Sequence, residues 1–327
     1  MPLHDTILQE GMLVRPLWKD ILAAVWLGII IPGIVLNAFV LKERHRNIIQ
    51  PSVQIQETQP VGRSILVRDP DGTQIRMDLD NYLTGVLLAE MPGDFHREAL
   101  KAQSVAARTY TWKAYTTGGK HGDHSVCTDS ACCQAYLSDA SYLSRGGTQA
   151  DLDKIRNAVL DTSCFVLLYD GELIDATYFS SSGGSTEAAL EVWGTDYPYL
   201  RSVFSPEEVR TDTVIFSVEE FQALLETTFS DHADGWFGAV SYTDGGGVDT
   251  MEIGGKIYTG VELRSLLGLK STDIRIRTDG QSVFITTRGY GHRVGMSQYG
   301  ANTMAENGST WQQILQHYYP GTILAPI

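Results

Sequence analysis

Two neighbouring stretches constrain the fold of this chain most: Tyr82-Leu-Thr-Gly-Val-Leu-Leu-Ala-Glu-Met-Pro92 and Ala99-Leu-Lys-Ala-Gln-Ser-Val-Ala-Ala-Arg-Thr-Tyr110. Leu83, Val86, Leu87 and Glu90 fall on one stripe of a helix with about 3.6 residues per turn. Pro92 pushes Met91 off the helical region, so the helix ends there. A second helix is predicted from about Arg97 to Tyr115. On it Ala99, Ala102 and Ala106 share a narrow face, where small side chains let another element approach closely.

Glu90 is the residue this arrangement singles out. A carboxylate on an apolar stripe is desolvated, which disfavours its charge. Its place in the last turn adds the negative end of the helix dipole. Both push its pKa upward, as a general acid near neutral pH requires. The bland alternative is a frayed helix end with Glu90 in water. A distant polar segment, Gly291-His-Arg-Val-Gly-Met-Ser-Gln-Tyr-Gly-Ala301, reads as a glycine-hinged turn carrying His292, Ser297, Gln298 and Tyr299. A Ser-His triad fits poorly, because there is no Gly-x-Ser-x-Gly elbow and no acid placed to orient His292.

Around these stretches the pattern predicts an α+β domain. Ile65 to Met77 reads as a hairpin about an Asp-Gly turn, with Asp80 capping the helix that follows. Residues 119–150 look like loop. From about 160 to 290 short β-rich runs dominate, with helical inserts at Val218 to Thr228 and Gly260 to Leu267. A last helix is predicted over Thr310 to Tyr319, stopped by Pro320-Gly321.

Ile21 to Leu41 is the one long apolar run, free of charged side chains. At ~1.5 Å rise per residue it can cross a hydrocarbon core of ~30 Å. No convincing Ala-x-Ala site follows it, so an uncleaved anchor is favoured over a signal peptide. The expected organisation is a cytoplasmic N-terminus (1–20), a transmembrane helix (21–41), a linker (42–60) and one domain (61–327) with a β-rich insert at about 203–280. Basic residues flank the span on both sides, so charge alone leaves its orientation open. The net charge of −14 argues against a nucleic-acid binder.

His121-Gly-Asp-His-Ser-Val-Cys-Thr-Asp-Ser-Ala-Cys-Cys133 gathers two His and three Cys on a bendable loop. Tetrahedral zinc takes four N or S ligands of this kind, and a disulfide from Cys127 is the alternative. Cys164 is most simply a small packed residue.

The two long strings, with Phe179-Ser-Ser-Ser-Gly-Gly-Ser-Thr186 and His317-Tyr-Tyr-Pro-Gly321, resemble the stage II sporulation protein D family, here of clostridial type. These are membrane-anchored peptidoglycan lytic transglycosylases, and the resemblance covers roughly residues 60 to 325. It implies that Glu90 is the catalytic acid, and that Gln103 and Arg108 orient it or hold sugar hydroxyls. Ser181 and Ser182, in a flexible polar loop, would offer groups to a sugar; Tyr178 would stack on a ring or fill the core. His292, Gln298 and Tyr299 would complete the substrate wall. Arg293 stands where the family usually has glycine, which adds a charge near the cleft. The resemblance also implies a structural zinc on His121, Cys127, Cys132 and Cys133. Cys132 replaces the usual His there, and His124 competes for one place.

The implied reaction cuts glycan strands, preferably stripped of stem peptides, to 1,6-anhydro muramic ends. The implied setting is forespore engulfment, with the domain in the space between the two membranes. The implied partners are an amidase, stage II sporulation protein P, and a membrane scaffold protein. The family also holds amidase enhancers that bind cell wall, so a non-catalytic enhancer remains a rival, as does a zinc hydrolase.

Overall fold

The hairpin forms where the Asp-Gly turn dictates. Gly72 takes φ 88°, and its amide donates to the Asp69 carbonyl at 2.9 Å. In this computed structural model, which describes residues 63–69, 71–229 and 233–327, β1 (Ser64–Arg68) pairs antiparallel with β2 (Gln74–Asp78), Ser64 opposite Asp78. The predicted N-terminal segment, span and linker (1–20, 21–41, 42–60) lie outside the described residues. Among the described residues no helix is long and apolar enough to cross a membrane.

Helix α1 (Leu79–Glu90) is capped by Asp78, whose carboxylate accepts from the Asn81 amide at 3.1 Å. The expected cap, Asp80, instead pairs with Arg108 at 2.9 Å. Met91 is extended, at φ −117° and ψ 135°, and the helix stops before Pro92. Helix α2 (Arg97–Thr117) runs through the middle of the core and ends at Gly118 in the left-handed region, φ 92°. Ala99, Ala102 and Ala106 are fully buried on it.

The stretch 119–150 is not all loop. It holds β3 (Ser125–Cys127), which joins β1 in parallel, α3 (Asp139–Ser144) and the start of α4 (Gln149–Asp161). Its Gly- and Ser-rich composition hid α4, whose apolar face (Leu152, Ile155, Ala158, Val159) becomes periodic only beyond residue 150. Next come β4 (Phe165–Tyr169), β5 (Glu172–Leu173), β6 (Tyr178–Phe179) and α5 (Ala189–Trp193).

A β-rich segment follows: β7 (Thr211–Ser217), α6 (Val218–Leu225), β8 (Phe237–Tyr242), β9 (Val248–Ile253), β10 (Lys256–Thr259), α7 (Gly260–Leu266), β11 (Asp273–Thr278) and β12 (Ser282–Arg288). Both predicted helical inserts are present, each opened by a reciprocal cap, Ser217 with Glu220 and Thr259 with Glu262. The chain closes with β13 (Met296–Ser297), α8 (Gln298–Glu306), α9 (Trp311–Tyr318) and β14 (Ile323–Pro326). The supposed glycine-hinged turn is thus a turn only as far as Gly295. Ser297 accepts from the Gly300 amide at 3.2 Å and starts α8.

Two hydrophobic cores result among the described residues. The first gathers α1, α2, α4, α8 and α9 around residues such as Leu83, Leu100, Ile155 and Ile314. The second lies inside the β-rich segment, around Phe221, Ile253, Leu263 and Ile285, between the sheets β10-β9-β8 and β11-β12-β7.

Candidate functional site

The end of α1 opens into a polar cleft of about 790 Å³. Glu90 lines it, and the Ala135 amide donates to its carboxylate at 3.0 Å. Burial raises the pKa of Glu90; the Ala135 amide and the neighbouring Gln298 amide partly oppose that rise. The buried Gln298 Nε2 stands near this carboxyl, yet makes no well-formed hydrogen bond among the described residues. Glu90 is therefore a carboxyl of raised pKa beside an amide with spare donor capacity. No other carboxylate lines the cleft among the described residues.

Two distant segments meet there through a short parallel pairing. Strand β6 lies beside β13, Tyr178 opposite Met296 and Phe179 opposite Ser297. This brings Tyr178, His292 and Gln298 to one wall of the cleft. The Tyr178 hydroxyl donates to Gln134 Oε1 at 2.8 Å, and burial pushes its pKa well up. The His292 ring packs on Phe179 and Trp193, at centroid distances of 5.6 and 5.3 Å. Its pKa falls to about 4, first through burial and then through the nearby Arg264. Its Nδ1 accepts from the Val294 amide at 3.1 Å, which leaves the single ring proton on Nε2.

Five expected substrate residues are not at the surface of the cleft. Arg108 is fully buried, donating to the Thr162 and Val159 carbonyls at 2.7 and 3.1 Å besides Asp80. Gln103 is fully buried too, and its amide has no partner among the described residues. Ser181 and Ser182 are buried rather than flexible: both hydroxyls and the Ser182 amide donate to Glu207, a carboxylate that no sequence signal marks. Ser297 donates to the same carboxylate. Tyr299 also turns away, edge-on to Phe95 and under the Arg210 guanidinium at 3.7 Å.

Arg293 does not charge the cleft either. It keeps the left-handed backbone a glycine would favour, at φ 64°, but its guanidinium is buried. It donates to Glu187 at 3.0 Å and to the carbonyls of Ser182, Ser185 and Gly245 at 2.6, 2.9 and 2.6 Å. Sequence reasoning missed several cleft residues: Tyr110, Lys120, Gln134, Trp193, Arg264 and Tyr290. Gln134 and Tyr290 adjoin motifs already marked, so proximity in sequence could have found them. Nothing in the sequence marks Arg264.

The Cys/His loop borders the same cleft through Cys132 and Cys133. His121, Cys127, Cys132 and Cys133 each bring a donor atom within 4.8 Å of one another, a set able to hold a metal ion. His121 Nε2 lies 3.7 and 3.5 Å from the sulfurs of Cys132 and Cys133, which are 3.9 Å apart. His124 stands outside the set, its Nδ1 2.7 Å from the Tyr115 carbonyl oxygen. All four cysteines are free thiols. The chain leaving this cluster crosses α1 where Leu137 donates to the Gly85 carbonyl at 2.9 Å. A Cβ on Gly85 would stand 2.1 Å from the Tyr136 ring, so only glycine permits that crossing.

A family model described as stage II sporulation protein matches residues 72–169. Stage II sporulation protein D of Bacillus subtilis (strain 168) is 38% identical over 252 residues, covering 75% of this chain and 73% of its own length. The protein of the same name from Bacillus amyloliquefaciens is 39% identical over 251 residues, covering 74% of this chain and 73% of its own. The amidase enhancer of Bacillus subtilis (strain 168) is 30% identical over 302 residues, covering 74% of this chain and 40% of its own. Mixed α/β fold and sequence likeness together define the class, a sporulation protein. More narrowly, the chain belongs to the stage II sporulation protein D family.

Proposed function

We propose that the cleft is the active site of a peptidoglycan lytic transglycosylase acting in engulfment. The observation that carries this reading is the solitary, burial-raised carboxyl of Glu90. Hydrolytic glycosidases work with two carboxyl groups, about 5–9.5 Å apart. A lytic transglycosylase needs one. Glu90 gives its proton to the oxygen between muramic acid and glucosamine as that bond breaks. The muramic C6 hydroxyl then attacks its own anomeric carbon and returns its proton to the Glu90 carboxylate. The product is a 1,6-anhydro muramic end, and water contributes no atom. Gln298 has a free donor for the glycan or for Glu90, and Trp193 and Tyr290 offer rings for sugar faces.

The metal we propose is zinc, held by His121, Cys127, Cys132 and Cys133 in a structural role. With Zn–S near ~2.3 Å and Zn–N near ~2.0 Å, tetrahedral edges come to about 3.8 Å between sulfurs and about 3.5 Å between sulfur and nitrogen. The separations of 3.5 to 3.9 Å among His121, Cys132 and Cys133 fit those edges, and Cys127 lies within 4.8 Å of all three. Four protein ligands leave no open position, which disfavours a zinc hydrolase. Residues 21–41 would anchor the domain outside the cytoplasm. There it would act on peptide-free strands beside stage II sporulation protein P and a scaffold protein.

The likeness to an amidase enhancer supports a second reading, wall binding without turnover. Glu90→Gln separates the two. Acid–base assistance is worth ~10²–10⁴-fold, so turnover of peptide-free glycan should fall to the detection limit while glycan binding persists. Digestion by the unsubstituted chain in ¹⁸O-water should leave no heavy oxygen at the new ends. Heavy oxygen there would mean hydrolysis, and full activity in Glu90→Gln would sink the proposal.

A further inference from the structure

Among the described residues the two fully buried arginines each have a counter-charge, whereas a partly buried arginine in the cleft has none. Arg108 is paired with Asp80 and Arg293 with Glu187. Arg264, in the last turn of α7, lines the cleft with its Nε buried and without a hydrogen-bond partner, and no carboxylate pairs with it among the described residues. The ionisable groups acting on it are the Tyr290 hydroxyl and the neutral His292 ring. Lys120, the other cation of the cleft, is engaged by the Cys132 carbonyl. A chain of net charge −14 has acids to spare, yet none is brought to Arg264. Arg264 is partly buried and its Nε finds no acceptor among the described residues, so the guanidinium keeps a donor to spare, and its planar fork matches a carboxylate.

We infer that Arg264 receives the lactyl carboxylate of muramic acid, and so makes the cleft select strands whose muramic residues carry no peptide. This rests on the glycan reading above and assigns a specificity residue to it. Glucosamine units are neutral, so each disaccharide offers one such anion. Attachment of a stem peptide converts that carboxylate to an amide, which has no charge for Arg264 to meet. Selection therefore needs no groove that measures the peptide.

The test uses the full chain carrying Glu90→Gln, which halts turnover, and measures its binding to peptide-free glycan oligomers. The same oligomers with their carboxylates converted to methylamides serve as the comparison. Amidation is expected to weaken binding roughly 10-fold to 100-fold, the range for a hydrogen bond to a charged group. Adding Arg264→Gln should abolish that discrimination, and Arg264→Lys should restore part of it. Equal affinity for acid and amide glycan in the Glu90→Gln chain overturns the inference. So does discrimination that survives Arg264→Gln. The first comparison stands even if Arg264→Gln fails to fold. No binding of either glycan overturns both this inference and the proposed substrate. Absence of anhydro ends from the unsubstituted chain, with discrimination intact, refutes the reaction alone.

Discussion

At the residue scale, the acid role proposed for Glu90 would link stability and turnover through one proton. Because burial raises its pKa above the ordinary range, the folded state holds that proton where the unfolded chain has released it. Stability therefore declines as pH rises from the unfolded value of about 4.3 toward the higher folded one. Glu90→Gln removes this decline, so its thermal midpoint should equal or exceed that of the unsubstituted chain at pH 7. The advantage should vanish below about pH 4, where both forms are neutral. A variant less stable at pH 7 than the parent would contradict the desolvation argument. Turnover should likewise fall as pH rises through the Glu90 pKa. His292 adds no ascending limb between pH 5 and 8, since its pKa lies at about 4. Glu90 was legible because helical spacing and Pro92 are local facts. Arg108 was not, because a solvated and a buried arginine look alike in sequence; Asp80, Val159 and Thr162 decide which it is.

At the element scale, α1, α2 and α4 are tied by that same guanidinium. Arg108→Ala leaves the Asp80 carboxylate, 19% exposed, without its partner and two carbonyls without a donor. A loss of about 3–5 kcal/mol is expected in denaturant unfolding, with secondary structure retained at low denaturant. A loss under about 1 kcal/mol would mean that the pair is not structurally important. The Cys/His loop has a comparable reach. Gln134 and Ala135, directly after Cys133, hold Tyr178 and Glu90. Chelation should release one equivalent of zinc, lower the thermal midpoint and depress turnover together. Cys127→Ala should cost roughly 3 kcal/mol or more, since metal binding in a structural site is folding energy. Metal analysis without zinc, with a Cys127 disulfide in the peptide map, would reject the site. The sequence showed the donor cluster as a run of residue types. It did not show α4 or α8, whose caps, Thr148 and Ser297, sit inside stretches rich in other turn residues.

At the scale of the molecule, the second core is closed within residues 214–285, so its helices and strands follow from local patterning and reciprocal caps. The cleft was harder to read, because α1, β6, α7 and the start of α8 contribute to it from widely separated positions. Arg293 ties its wall to the loop before β9, through Ser182, Glu187 and the Gly245 carbonyl. Replacing it by glycine would ease the left-handed backbone at φ 64° but strand Glu187, which is 1% exposed. The expected net result of Arg293→Gly is a loss of about 3–5 kcal/mol, read from denaturant midpoints. A gain in stability would show that backbone strain outweighs the ion pair.

Arg293 also bears on how the lineage could have changed. At 293 this chain has a side chain whose removal alone exposes a mismatch at Glu187. Neither replacement is then a neutral first step: a lone arginine lacks its acid, and a lone buried acid lacks its base. The two positions should therefore travel together through descent, relatives with glycine at the first carrying no acid at the second. Introducing glycine at 293 in the laboratory should succeed only with a neutral partner at 187, and the double replacement should recover most of what the single one loses.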